Sequence, residues 1–242
     1  MIDIFVKELN SFLNSLIAYI VIAVFLTGIG LLMWVFPETS VLEYGYADMD
    51  TLFSLGPYVL MFLIPAITMR MFAEERKAGT IELLVTKPIT DWEIIFGKYL
   101  SGFALVLFSV LPTIIYYWSV YQLGSPVGNI DTAGVIGSYI GLILLGGVFT
   151  SIGIFASAIS NNQIVSFIVA VFLCFIIYGG FSSFASINDW GILSAYLEQM
   201  GILYHYDAMS KGLLDTRDII YFFSVIAIML MFTKLILSSR KW

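Results

Sequence analysis

The sequence predicts an all-α, polytopic integral membrane protein with six transmembrane helices, and three observations carry that reading. Of the 242 residues 60% are hydrophobic and only 12% charged, against about 45–50% apolar and about 25% charged in a soluble domain. Uncharged apolar runs fall at about 15–36, 54–69, 99–121, 134–159, 164–185 and 219–233. Each reaches or approaches the roughly 20 residues that cross a hydrocarbon core of about 30 Å, the second and sixth by borrowing from their flanks. The runs are apolar around the whole helix and lack a two-residue alternation, which argues against a β-barrel. Six spans and their loops fill the chain, so residues 1–242 are read as a single membrane domain without a separate soluble catalytic domain.

Taken in order, residues 3–14 come first. Phe5, Leu9, Phe12 and Leu13 share one side of a helix, with Asp3, Lys7, Glu8, Asn10 and Asn14 elsewhere on the wheel. This is the pattern of an interfacial amphipathic helix, although it is also what the wet first turns of the first span would look like. It lacks the cationic start and small-residue cleavage site of a signal peptide, so it is expected to persist. Pro65 and Pro112 should kink the second and third spans, and Gly179-Gly180 should disturb the fifth. The fourth span is crowded with small residues, and its Gly137 and Gly141 form a GxxxG pair that permits close helix contact, within the subunit or at a dimer seam. Ser160 to Gln163 make a minimal polar turn before the fifth span.

Residues 186–218 are too polar to cross the membrane. Leu193, Tyr196, Leu197 and Met200 nevertheless recur with helical spacing, which predicts short helices dipping into or lying on the outer face; an ordinary outer loop is the alternative. His205 is the only histidine, with no second histidine or cysteine nearby to complete a transition-metal site. It is read as part of an interfacial aromatic cluster with Tyr204 and Tyr206. Cys174 is alone and lies within a span, which predicts a packed thiol.

Orientation follows from the basic residues. Lys7, Arg70, Arg76, Lys77, Lys87, Lys98, Lys234, Arg240 and Lys241 flank one side, and only Lys211 and Arg217 the other. By the positive-inside rule both termini and the 70–98 region are cytoplasmic.

That region is the longest charged stretch between two spans, RMFAEERKAGTIELLVTKPITDWEIIFGK. Glu74 to Lys77 can carry a helix out of the bilayer, and Gly79 supplies a permissive turn. Thr80 stands where an N-cap belongs, with Glu82 suited to the positive end of a new short helix. Ile81, Leu84 and Val85 would share one of its faces, and Lys87-Pro88 would end it. Thr90 to Glu93 reads as a capping box that starts the next helix, stapled by Ile89 onto Ile94. On these residues alone an ordinary solvated loop remains as good a description.

The segment E-R-K-A-G-T-I-E-L-L-V-T-K-P-I-T followed by Gly97-Lys98 resembles the cytoplasmic coupling region of ABC-2 type transporter permeases, and the resemblance runs over essentially the whole length. The chain looks most like the gliding-motility-associated permease subunits, partly through Ser210-Lys211-Gly212, Asp215 to Asp218 and Tyr221-Phe222. The resemblance implies an ABC-2, type V exporter-like fold with a cytoplasmic coupling helix and short re-entrant external helices. Gly79, Thr80, Ile81, Glu82, Leu83, Leu84 and Pro88 would form the contact with a separate phosphate-loop ATPase, with Thr90 and Glu93 as the helix-start cap. It further implies ATP and Mg on that partner and no cofactor in this chain. A second permease copy or paralogue would complete the pathway in a bacterial inner membrane, with no role for nucleic acid.

Other chemistry is missing from the sequence. No GxxxxGK[ST] phosphate loop occurs, so ATP would have to be hydrolysed elsewhere. No GxSxG occurs either, and no serine shares a span with a histidine. The six apolar cores lack Asp, Glu, Lys, Arg and His, whereas ion-coupled carriers place ionisable groups near the midplane. A membrane scaffold for motility or envelope machinery is the remaining alternative, with a secondary carrier behind it.

Overall fold

The computed structural model describes residues 1–80, 88–187 and 192–239. Among these residues every regular element is helical. In chain order they are α1 (Ile2–Leu13), α2 (Leu16–Trp34), the single turn α3 (Val41–Tyr44), α4 (Asp50–Thr68) and α5 (Arg70–Lys77). After the coupling segment come α6 (Asp91–Val110), α7 (Ile114–Leu123), α8 (Thr132–Ile159) and α9 (Gln163–Phe175). The last four are α10 (Phe181–Ile187), α11 (Ile192–Gln199), α12 (Ile202–Ser210) and α13 (Thr216–Ser238).

Among the described residues five helical stretches are long and apolar enough to cross a membrane: Asp50–Lys77, Asp91–Leu123, Thr132–Ile159, Gln163–Ser186 and Thr216–Ser238. The sixth expected span is reached when Ile2–Leu13 and Ala18–Trp34, bent by 67°, are counted as one unit. Asn14 and Ser15 make that bend, where the Ser15 hydroxyl donates to the Phe12 carbonyl at 2.8 Å.

The proline and glycine expectations resolve differently from one another. Pro112 lies in a 3-10 turn, Leu111–Thr113, that separates α6 from α7. Gly179 and Gly180 do not end the fifth span, because a π-helical turn at Ile176–Gly180 absorbs them and the helix continues to Ile187. A wide turn of this kind accommodates one extra residue per turn without breaking the ladder.

Helix α8 is the axis of the fold. It packs against α4, α5, α6, α9, α12 and α13, and Phe149, Ile152 and Ile154 on it are wholly buried. Its small residues allow the close approach. A methyl group on Gly146 would collide with Val106 of α6, and one on Gly153 with Thr68 of α4. The Gly137–Gly141 pair is an intrasubunit seat: a Cβ at Gly137 would stand 2.9 Å from Gly212 Cα, and one at Gly141 2.9 Å from Met209 Cβ. Those neighbours belong to α12 and its end, so the pair receives a short helix of the same chain. Ser138 adds a 2.7 Å bond to the Ser210 carbonyl, and the Tyr206 hydroxyl donates to Phe53 O at 2.6 Å.

On α11 and at its end Tyr196 and Met200 are exposed, and burial in this stretch falls on Ile202, Tyr206 and Met209 of α12. One surface expectation is corrected. On α1 the charged side, placed on the wet face from the sequence, carries the buried Glu8, while Ile2 and Val6 face outward. Lys98 supplies the physical reason, as described next.

Candidate coupling site

Residues 78–90, the candidate coupling segment, follow α5, whose junction with α4 is an interrupted helix. In a continuous helix the Met69 carbonyl would accept from the Ala73 N–H. Here the Ser157 hydroxyl of α8 lies between them, donating to Met69 O at 2.9 Å and accepting from Ala73 N at 3.1 Å and Phe72 N at 2.9 Å. A side chain inserted into the ladder is a recognised cause of a helix break. The interruption thus lies four residues beyond Pro65, made by a residue from another span.

Three side chains of α5 fasten it further. Arg76 donates from Nη1 to the Ile159 carbonyl at 2.9 Å, capping the end of α8. Arg70 lies over the Phe12 ring, 4.1 Å from its centroid, and bonds Ser15 Oγ at 3.2 Å. Glu75 forms an ion pair with Lys98 at 3.0 Å and accepts from Lys7 at 3.4 Å.

Lys98 is the centre of this cluster and is 1% exposed. Its ammonium stands 2.9 Å from Glu8 Oε1 and 2.6 Å from the Met71 carbonyl. Glu75 adds an ion pair at 3.0 Å. Two carboxylates from α1 and α5 therefore neutralise a buried cation on α6, and α1 is bound to the base of the coupling segment. The approach requires Gly97, where a Cβ would meet Ile4 of α1 at 2.9 Å.

The ends of the segment are both capped. Gly79 adopts φ +70°, a left-handed conformation that glycine alone takes at no steric cost. Gly79 N donates to Arg76 O at 3.2 Å and Thr80 N to Glu75 O at 3.0 Å, the paired bonds of a Schellman motif closing α5. The Thr80 hydroxyl also reaches Glu75 O, at 3.3 Å. At the other end Thr90 Oγ1 accepts from Glu93 N at 3.3 Å. Glu93 Oε2 returns the bond, accepting from Thr90 N at 2.9 Å, which is the reciprocal pattern of a capping box. Of the predicted contact residues, Gly79, Thr80 and Pro88 flank the segment, while Ile81, Glu82, Leu83 and Leu84 lie outside the described residues.

The same membrane face gathers other elements. Ser238 at the end of α13 is 3.5 Å from Asp91, and Lys234 lies over the Trp92 ring at 5.0 Å. The turn at Ser160 to Gln163 follows Ile159 beside Arg76, and is closed by Asn162 accepting from Ile164 N at 2.9 Å. Lys7, Arg70, Arg76, Lys77, Lys98 and Lys234 all fall at this end, whereas Lys211 and Arg217 lie at the other. Sequence reasoning missed Ser157, Glu8 and Glu75 as parts of the site. Nothing local marks them, because their partners are 23 to 90 positions away.

No curated protein matches the chain. The family model for ABC-2 family transporter proteins matches residues 38–237, a range that holds the interrupted α4–α5 helix, the capped segment, the axial α8 and the helices seated upon it. With most of its length matched and its apolar helices arranged in this way, the chain belongs to the ABC-2 family of transporter proteins.

Proposed function

We propose that this permease chain transmits the work of a separate phosphate-loop ATPase, docked on residues 79–88, into the membrane pathway. The observation that carries the reading is the double capping of that segment on a single fastened hub. Gly79 and Thr80 close α5 before the segment, and Thr90 and Glu93 open α6 after it, so in this reading a docked partner pulls on both helices at once. Those helices are bonded to α1 by Glu8 and to α8 by Ser157 and Arg76. A rigid-body displacement imposed there is passed to the second and third spans, adjacent in the chain, and also to the axial fourth span.

In this reading Glu82 pairs with a basic group of the ATPase, ATP and Mg remain on that partner, and the Ser160–Gln163 turn lies beside the docking surface as a second contact. Two permease chains, identical or paralogous, form the pathway in a bacterial inner membrane with both termini cytoplasmic. The resemblance to gliding-motility permeases makes export linked to motility or envelope assembly the physiological role. The competing role is a scaffold, and one experiment separates them. A partner ATPase that binds but cannot hydrolyse ATP should abolish function if the chain is a transporter; retained function would identify a scaffold.

A further inference from the structure

On the face opposite the Lys98 cluster, α11, α12 and the start of α13, with Ser182 of α10, line an open cavity of about 970 Å³. Its floor is fixed, because α12 is seated on the glycines of α8. One residue joins the three helices. His205 of α12 has Nδ1 2.7 Å from Asp218 Oδ1 of α13 and Nε2 2.9 Å from the Gln199 carbonyl at the end of α11. Its ring stacks on Tyr221 at 3.9 Å between centroids and meets Tyr204 edge-on at 5.3 Å.

Both hydrogen-bond partners are acceptors. A carbonyl oxygen never donates, and an ionised carboxylate does not either, while a neutral imidazole has one donor and one acceptor nitrogen. With an ionised Asp218 and a neutral ring, one end of His205 would therefore face oxygen lone pair to nitrogen lone pair. The contact is complete only when the His205–Asp218 pair holds one additional proton, so that Nε2 donates to Gln199 and a proton lies between Nδ1 and Oδ1. We infer that His205 is a proton-operated latch, holding α11 over the cavity when the pair is protonated and releasing it when the proton leaves.

The sign follows from linkage. The latched arrangement binds more protons than the released one, so its stability falls as pH rises. Glu198 faces the cavity from α11, Asp207 and Lys211 from α12, and Asp215 and Arg217 from the start of α13. Asp207 and Lys211 neutralise each other at 2.6 Å, and the Asp215 carboxylate is engaged by the Arg217 N–H at 2.9 Å. Tyr204 and Tyr221 touch the ring but are phenols. Histidine is the side-chain type among these whose charge ordinarily changes between about pH 5 and 8. Tyr221 also donates to Met200 O at 2.6 Å, which holds the far end of the hinge, so the released motion is that of α11 about Met200 and Gly201.

The test uses spin labels at Tyr196→Cys on α11 and Ile220→Cys on α13, in a Cys174→Ser chain reconstituted in lipid nanodiscs, with distances measured at about pH 5.5 and about pH 8.5. The expected result is one narrow short-distance population at the lower pH and a second, longer one at the higher. Asp218→Asn should stay closed at both, since the asparagine amide donates to a neutral Nδ1 while Nε2–H still serves Gln199. His205→Ala should show the longer population at both. A wild-type distance that ignores pH, or an Asp218→Asn chain that keeps the wild-type response, would overturn the latch.

Discussion

The Ser157 hydroxyl occupies the gap between the Met69 carbonyl and the Ala73 amide, 2.9 Å from one and 3.1 Å from the other. A residue of the axial helix therefore completes the backbone ladder of the helix that leads into the coupling segment.

Removing that hydroxyl has a defined cost. Ser157→Ala leaves buried backbone groups without a partner, worth about 1–3 kcal/mol where they stay unpaired. The expected outcome is a lower midpoint of thermal unfolding in detergent. If Ala73 instead recloses on Met69, stability recovers while α5 is re-aimed, and stimulation of the partner ATPase falls. A variant unchanged in both measurements would remove Ser157 from the hub.

The Lys98 cluster gives a prediction in which one loss is worse than three. Lys98→Ala strands Glu8 and Glu75 beside a vacated buried cation position, and breaking a buried ion pair on one side costs about 3–5 kcal/mol. Adding Glu8→Gln and Glu75→Gln to Lys98→Ala should recover part of the loss, because no buried charge is left uncompensated and Lys7, the other cation beside them, is exposed. Denaturation of wild type, the single and the triple variant checks this; a triple variant no more stable than the single one would contradict it.

Thr90→Ala should cost about 0.5–2 kcal/mol at the start of α6. Amide hydrogen exchange should quicken at Glu93 and Ile94, which bond to Thr90 in the capped turn, while the interior of the helix is unaffected. The chain is expected to insert normally and to transport less. Unchanged exchange at those amides would show that the cap is dispensable.

Orientation is tested by thiol labelling in a Cys174→Ser background. Ala78→Cys should resist a membrane-impermeant reagent in intact cells and Asp48→Cys should react, as the clustering of basic residues at the coupling end requires. The reverse pattern would invert the topology.

How much of this could be read from the sequence depended on how local each cause was. The spans are written as apolar runs, and the capping box joins residues three positions apart, so both are visible in short windows. The small residues of the fourth span announced a close contact but not its occupant, and α12 takes the place that a second subunit could have filled. Glu8 was misplaced because a helical wheel ranks a carboxylate as solvent-facing; only the fold brings Lys98, 90 positions away, to meet it. Ser157 looked like one more small residue of a packed helix. His205 was legible as an aromatic neighbour of Tyr204, whereas its bond to Asp218 spans a turn whose geometry no local pattern specifies.

The most direct test of the central proposal is Glu82, compared as wild type, Glu82→Ala and Glu82→Lys, with ATPase copurification and permease-stimulated hydrolysis measured together. An interfacial ion pair that is desolvated costs several kcal/mol when broken, against about 0.2–1 kcal/mol for an exposed one. The account predicts normal membrane insertion for both variants, weakened ATPase binding for Glu82→Ala, and loss of stimulated hydrolysis for Glu82→Lys. Unchanged copurification and hydrolysis in both variants would contradict it and move the drive contact to the Ser160–Gln163 turn.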